Sequence, residues 1–386
     1  MSFGTLAVIV IAGLAGPALA ARTQWHLPVV LGELLAGVIL GPTGFSWMHA
    51  SNPTLTLLAD MGFALVMFVA GTHVPVRDPQ LRKGIRLGLA RAVGIGVAAV
   101  VLAIAVNAIF KTGHTGLYAV LMASSSAALV LPIIDSLGLK GPQILQLLPQ
   151  VAIADAACIV ALPLAINPAH AGRAALGALA VSACAAVLFV ALRHFEQTGA
   201  RVRLHKFSEK RSFALELRIQ LAILFGLAAL AVATHVSIML AGFAFGLAVA
   251  GVGEPRRLAK QLFALTEGFL GPLFFVWLGG SLNLRDLGHH PSYIGLGVLL
   301  GLGAVLAHLA PRLSGQPVGV GVLAGLQLGV PVAAATLGTQ LHLLRPGEAP
   351  AILLGAIVTI GCGVAAGARA AKRSPAGATK AAPAAT

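Results

Sequence analysis

Charge is what this chain has least of. Only 10% of its 386 residues are Asp, Glu, Lys or Arg, against about 25% in an ordinary soluble domain. So few ionised side chains cannot cover a water-facing surface of this size, which excludes a soluble globular domain. Disorder is excluded as well, because 58% of the residues are hydrophobic and it is low hydrophobicity that keeps chains unfolded. Cysteine is scarce too. Cys158, Cys184 and Cys362 all fall in apolar runs, which leaves neither a disulfide framework nor a cysteine-built metal cluster. There is no Gly-rich phosphate loop ending in Lys-Ser or Lys-Thr, and no zinc-spaced His/Cys set. An enzyme is therefore not expected, and neither is a cofactor. What remains is an all-α polytopic membrane protein.

A helix needs roughly 20 apolar residues to cross the hydrocarbon core. About thirteen such stretches are present, at 3–20, 27–42, 54–72, 87–109, 115–135, 145–168, 171–192, 213–233, 235–252, 262–282, 292–311, 318–341 and 348–368. The first ends in Ala18-Leu19-Ala20, which resembles a signal-peptidase site, but it has no positively charged start. It is read as a retained first span.

Base outnumbers acid, 26 to 12. In a soluble protein that balance would suggest nucleic acid. Here, with loops alternating between the two sides, 20 of the 26 Lys and Arg fall on one side and four on the other. Arg91 and Arg218 lie in or near spans. The bias matches the positive-inside rule, so no nucleic-acid partner is expected. It implies a multi-pass protein of the cell (inner) membrane, surrounded by lipid, with the N-terminus outside and the C-terminus cytoplasmic.

The expected organisation is a transmembrane domain over 1–368 and a disordered cytoplasmic tail over 369–386, with no attached regulatory domain. Within the former, two inverted repeats of about 1–168 and 213–368 flank a linker helix at 171–192 and a basic cytoplasmic loop at 193–212. Two spans at matching positions carry breakers: Ser124-Ser125-Ser126 with Pro132 in the fifth, and Gly329-Val330-Pro331 in the twelfth. Paired broken helices in two halves mark an inverted-repeat secondary transporter, with its site at the breaks.

A carboxylate at the bilayer centre costs about 2.5–3.5 kcal/mol on insertion scales, so each one needs a reason. Asp155 is the sharpest case, lying mid-span with no Lys, Arg or His within a helical turn. Burial disfavours the charged form of a carboxyl group, and an arriving cation restores it by displacing the proton. That is the chemistry of a proton-coupled cation carrier, with Asp155 as the ligand for a monovalent cation. Ser125 and Ser126 offer hydroxyl oxygens, which hard cations prefer, and Glu267 is a further candidate cation or proton group. Glu33, Asp60, His73, Gly329 and Pro331 are read as structural or coupling residues. A carrier for an organic anion or other small solute is the alternative, since half-helix N-termini also receive anions.

Three runs carry a family resemblance. Leu27 to Pro42, with Gly32-Glu33, Ala36-Gly37 and Gly41-Pro42, is similar to an early signature of monovalent cation:proton antiporters of the Kef-type, sodium–hydrogen exchanger-like branch. The run from Leu58-Ala59-Asp60-Met61-Gly62 to Phe68-Val69-Ala70-Gly71 resembles that family's third span. Pro272-Leu273-Phe274-Phe275-Val276-Trp277-Leu278-Gly279 resembles its Pro-x-Phe-Phe span. The resemblance implies thirteen spans, a homodimer, crossed broken helices at the ion site, and an elevator-like core domain moving against a dimerisation domain. It also places the ion-binding carboxylate at Asp155. Three departures stand out: Ala154 where the family usually has Asp, Asn or Gln; Gly71-Thr72-His73 where Gly-Leu-Glu is frequent; and no basic residue between Glu267 and Leu284. A single unpartnered carboxylate implies exchange of one Na+ or K+ for one H+, without net charge movement.

Overall fold

The computed structural model describes residues 1–21, 29–74, 76–77, 79–136, 142–168, 171–199, 213–234, 236–253, 256–282 and 284–373. Arg22, Leu27-Pro28, Lys140, the basic stretch 201–212 and the tail from 374 therefore lie outside the described residues. Everything regular among the described residues is helical. Ten helices are long and apolar enough to cross a membrane, and two shorter apolar ones run Val29–Leu40 and Ile238–Val252.

The chain forms two units. The first comprises Met1–Asp78, Ile159–Pro291 and Ala333–Pro350; the second comprises Pro79–Cys158, Ser292–Val332 and Ala351–Thr386.

In the first unit, backbones touch where glycines meet. Helices Pro53–Thr72 and Ile238–Val252 pack so closely that a Cβ at Gly246 would overlap the carbonyl oxygen of Phe68, and one at Gly242 that of Ala64. Helices Val29–Leu40 and Gly271–Ser281 do the same through Gly37 and Gly279. In lipid there is no hydrophobic drive between helices, so close backbone approach through small residues supplies the association. Phe63 and Phe274 stack across this unit with ring centroids 4.7 Å apart. Gly246→Val is expected to destabilise the protein by about 1–3 kcal/mol, the usual cost of overpacking. A lowered thermal midpoint in detergent is the readout. Gly94→Val, at a position with nothing within 4 Å, leaves the midpoint in place.

The second unit is built on the long helix Pro79–Phe110, here α5. Its residues Ile95, Ala99 and Ala103 are fully buried, while Val93, Val97, Val101 and Ile104 are exposed. Both stripes are apolar, as lipid requires. This unit also holds two interrupted helices, the second of them only as far as Val332. The first is α6 (Thr115–Ala123) followed by α7 (Ala127–Ser136), and the second is α16 (Val318–Ala324), whose continuation begins at Gly329 as α17 (Gly329–Gln340). Three more helices contribute: α8 (Pro142–Ile166), α15 (Ser292–Ala307) and α18 (Glu348–Arg373).

The first interruption falls at Ser124–Ser126, where Ser124 is extended (φ −71°, ψ 150°). Pro132 stays inside α7. The second falls at Gly325–Leu328, upstream of the expected Gly329-Val330-Pro331, which instead opens α17. The reason is positional. A proline in the first helical turn gives up an N–H that has no intrahelical acceptor there, so Pro331 starts a helix at no cost.

Candidate ion site at two interrupted helices

Each interruption strands backbone groups. The last carbonyls of α6 and α16 and the first amides of α7 and α17 have no partner within their own helix. Two of these ends, the start of α7 and the end of α16, are met by side chains from elsewhere in the fold.

Asp155, on α8, is 5% exposed. Its Oδ2 accepts a hydrogen bond of 3.1 Å from the amide of Ala127, the first residue of α7. The carboxylate thus caps a half-helix at its N-terminus, where the helix dipole and a free N–H both favour negative charge. One Asp155 oxygen, Oδ2, is engaged in this way.

The serines at the break bind the second interrupted helix. Ser124 Oγ donates to Gln327 Oε1 at 2.6 Å, with Leu121 O as a second acceptor at 2.9 Å. Ser125 Oγ donates to Ala324 O, the last residue of α16, at 2.7 Å. On its other side stands His308 Nε2, 3.2 Å away. Ser126 is buried, and its carbonyl accepts from the amides of Leu129 and Val130 in the first turn of α7. All of these residues belong to the second unit. Two further polar groups lie close along α8. Gln150 is fully buried, with both amide atoms lacking a partner among the described residues. Cys158 is buried one turn beyond Asp155; like Cys184 and Cys362, it is a free thiol.

Among the residues expected from sequence, Asp155, Ser125 and Ser126 come together. Glu267 does not join them. It belongs to the first unit, exposed on a π-helical turn, Thr266–Leu270, and within electrostatic range of Glu33 and His73. Glu33 is buried on Val29–Leu40 against Gly16, whose Cβ would meet Glu33 Cγ. His73 caps the helix Pro53–Thr72 and keeps Nδ1 2.9 Å from Val69 O, a local contact. Asp60 lines a cavity of about 610 Å³ in the first unit, with Arg173, Asn167, Ser237 and Gln340. Gly329 and Pro331 open α17 just past Gln327.

Gln327, Ser124 and His308 were not expected at the site. Gln327 had a readable signal: an amide in mid-span, two residues before a Gly-Val-Pro breaker. His308 had a weaker one: it ends a span and can reach membrane depth, although a histidine there is ordinarily solvated. Among the described residues no group of three His, Cys, Asp or Glu side chains could hold a resident metal ion.

Comparison with known proteins decides the family. The model for the sodium/hydrogen exchanger transmembrane domain matches residues 6–367. The chain belongs to this family. It is 23% identical over 378 residues to the putative Na+/H+ antiporter YjbQ of Bacillus subtilis, covering 92% of this chain and 61% of that protein. The chain thus spans about three-fifths of that relative's length. It is 26% identical over 270 residues to the probable Na+/H+ antiporter 3 of Methanocaldococcus jannaschii (68% and 67% of the two chains). It is 22% identical over 274 residues to the Na+/H+-K+ antiporter GerN of Bacillus cereus (69% and 68%). Among solved structures, the sodium proton antiporter MjNhaP1 of Methanocaldococcus jannaschii at pH 8 shares the fold, with a TM-score of 0.62 and 16% identity. The match covers 96% of this chain and 98% of that one. This family member is therefore a multi-pass helical membrane protein.

Proposed function

We propose that the protein is a secondary-active antiporter that exchanges a monovalent cation, Na+ or K+, for H+, and that the two ions compete for Asp155. The observation that carries this reading is one buried carboxylate at the N-terminus of α7, beside the hydroxyls and carbonyls that two helix breaks set free. Hard cations take such oxygen ligands. With Ser125 and Ser126, Asp155 supplies an oxygen-rich cluster with one negative charge. The names of the relatives, each an Na+/H+ antiporter, support the same exchange.

The charge count gives the stoichiometry. Asp155 carries either one cation or one proton, so the loaded site is neutral in both directions and the exchange is electroneutral. The unit that holds Asp155 acts as the moving carrier in an elevator-type cycle. The other unit provides the dimerisation domain of a homodimer, and Glu33, Asp60 and His73 serve there as structural or coupling groups. Thirteen spans with the C-terminus cytoplasmic, in the cell membrane, follow from the distribution of Lys and Arg. An organic anion would need the half-helix N-terminus that Asp155 already occupies, which disfavours the solute-carrier alternative.

Purified protein in proteoliposomes, acid inside and loaded with a pH-sensitive dye, tests the reading. Pulses of external Na+ or K+ dequench the dye. An imposed membrane potential of either sign leaves the initial rate unchanged. An exchanger that moved one net charge would feel about 2.3 kcal/mol per 100 mV, so a clear dependence on voltage overturns electroneutrality. Absence of any cation-driven proton flux overturns the exchange itself.

A further inference from the structure

His308 has no part in the exchange as described, yet it is fully buried at the meeting of three helices. It follows the last turn of α15, and its backbone amide bonds Ala304 O. Its ring faces α16: a Cβ at Gly325 would lie 3.4 Å from His308 Cβ and Cγ, and one at Gly321 would lie 2.7 Å from the His308 carbonyl. The two ring nitrogens are both engaged. Nδ1 is 2.8 Å from Ala304 O, and Nε2 is 3.2 Å from Ser125 Oγ.

Counting protons shows what this arrangement does. A carbonyl only accepts, so the 2.8 Å contact puts a hydrogen on Nδ1. In the neutral ring Nε2 is then an acceptor, and it cannot donate into Ser125. The Ser125 hydroxyl has one hydrogen and two acceptors for it, Ala324 O and His308 Nε2. Whichever one takes it, neither neighbour occupies a lone pair of Ser125 Oγ. A cationic side chain in place of the ring could only donate there, and would cover the oxygen.

We propose that His308 is a positioning residue for the transported cation: held in the Nδ1–H form by Ala304 O, it keeps Ser125 Oγ at the crossing of the two breaks with its lone pairs open to a monovalent cation. This rests on the reading that the cation binds at Asp155 and Ser125, and it adds the group that fixes the polarity of the second ligand.

The test separates the two ring nitrogens. Asn mimics Nδ1 and retains the Ala304 anchor but not the reach to Ser125, whereas Gln can place an acceptor where Nε2 stands. In proteoliposomes, His308→Asn and Ser125→Ala are each expected to raise the cation KM about tenfold, the loss of one ligand to a charged partner. That change exceeds any change in maximal rate. His308→Gln recovers most of the affinity. The double variant His308→Asn with Ser125→Ala is no worse than Ser125→Ala alone, because the histidine acts through the serine. Additive effects in the double variant, or an unchanged KM in His308→Asn, overturn the proposal. So does a His308→Asn defect confined to the thermal midpoint or maximal rate. Asp155→Asn, run beside them, keeps the two readings apart. Loss of exchange there together with additive His308 and Ser125 effects sinks only the positioning role, whereas exchange that survives in Asp155→Asn sinks the site itself.

Discussion

Asp155→Asn abolishes cation-driven proton flux, by a factor of more than about 100 on the scale set by losing a charged ligand, while the protein still folds. The substitution is nearly isosteric. The Asn carbonyl oxygen can accept the same hydrogen bond from the Ala127 amide that Asp155 accepts now, so α7 keeps its cap and the thermal midpoint moves little. What disappears is the charge that draws in a cation and the group that takes up a proton. Asp155→Glu keeps the charge but pushes it one methylene further from Ala127, in a site that is 5% exposed. It retains exchange at a raised KM. A solid-supported-membrane or dye-dequenching assay on the three proteins resolves these outcomes. Wild-type rates in Asp155→Asn would remove Asp155 from the transport cycle. A large loss of melting temperature would make its role structural.

The second large effect is on pH. If a proton and a cation occupy one carboxyl group by turns, mass action requires that acid raise the apparent cation KM and leave the saturated rate unchanged. On the acid side of that group's titration, each unit fall in pH raises the KM about tenfold. Excess cation restores the rate throughout that acid range. The measurement is a set of cation titrations at several pH values, with equal pH on both sides at the start. A falling maximal rate at constant KM would instead point to titration of a group outside the ion site. A KM that changes a hundredfold per pH unit would require two protons and end the one-for-one stoichiometry.

Much of this could be read along the chain. The runs of apolar residues placed the spans, because only a helix satisfies its backbone in lipid. Asp155 stood out because a lone carboxylate in such a run is costly. Ser124-Ser125-Ser126 interrupts its helix where the sequence indicates. The second break did not follow the same logic. Gly329-Val330-Pro331 reads as a breaker, yet Pro331 falls in a first helical turn, and the chain opens just upstream at Gly325–Leu328. A local rule about proline cannot say which of two adjacent stretches will be the helix start.

The sequence by itself determined the solvent this protein lives in, its helical class and the one carboxylate that its spans can least easily explain. Those follow from hydrophobic length, the distribution of charge and the cost of desolvation, all of which are properties of local composition. Only the tertiary structure decided what Asp155 touches. The Ala127 amide lies 28 positions away in the chain, and the contacts of Ser125 with His308 and Ala324 span 183 and 199 positions. It also decided that Glu267 belongs with Glu33 and His73 in one unit and Asp155 with the breaks in the other. In a membrane helix that is apolar on every side, as α5 is along both its buried and its exposed stripes, periodicity carries no record of which face meets a neighbour. That choice is made by close packing between segments far apart in the chain, and the cluster around Asp155 is a product of it.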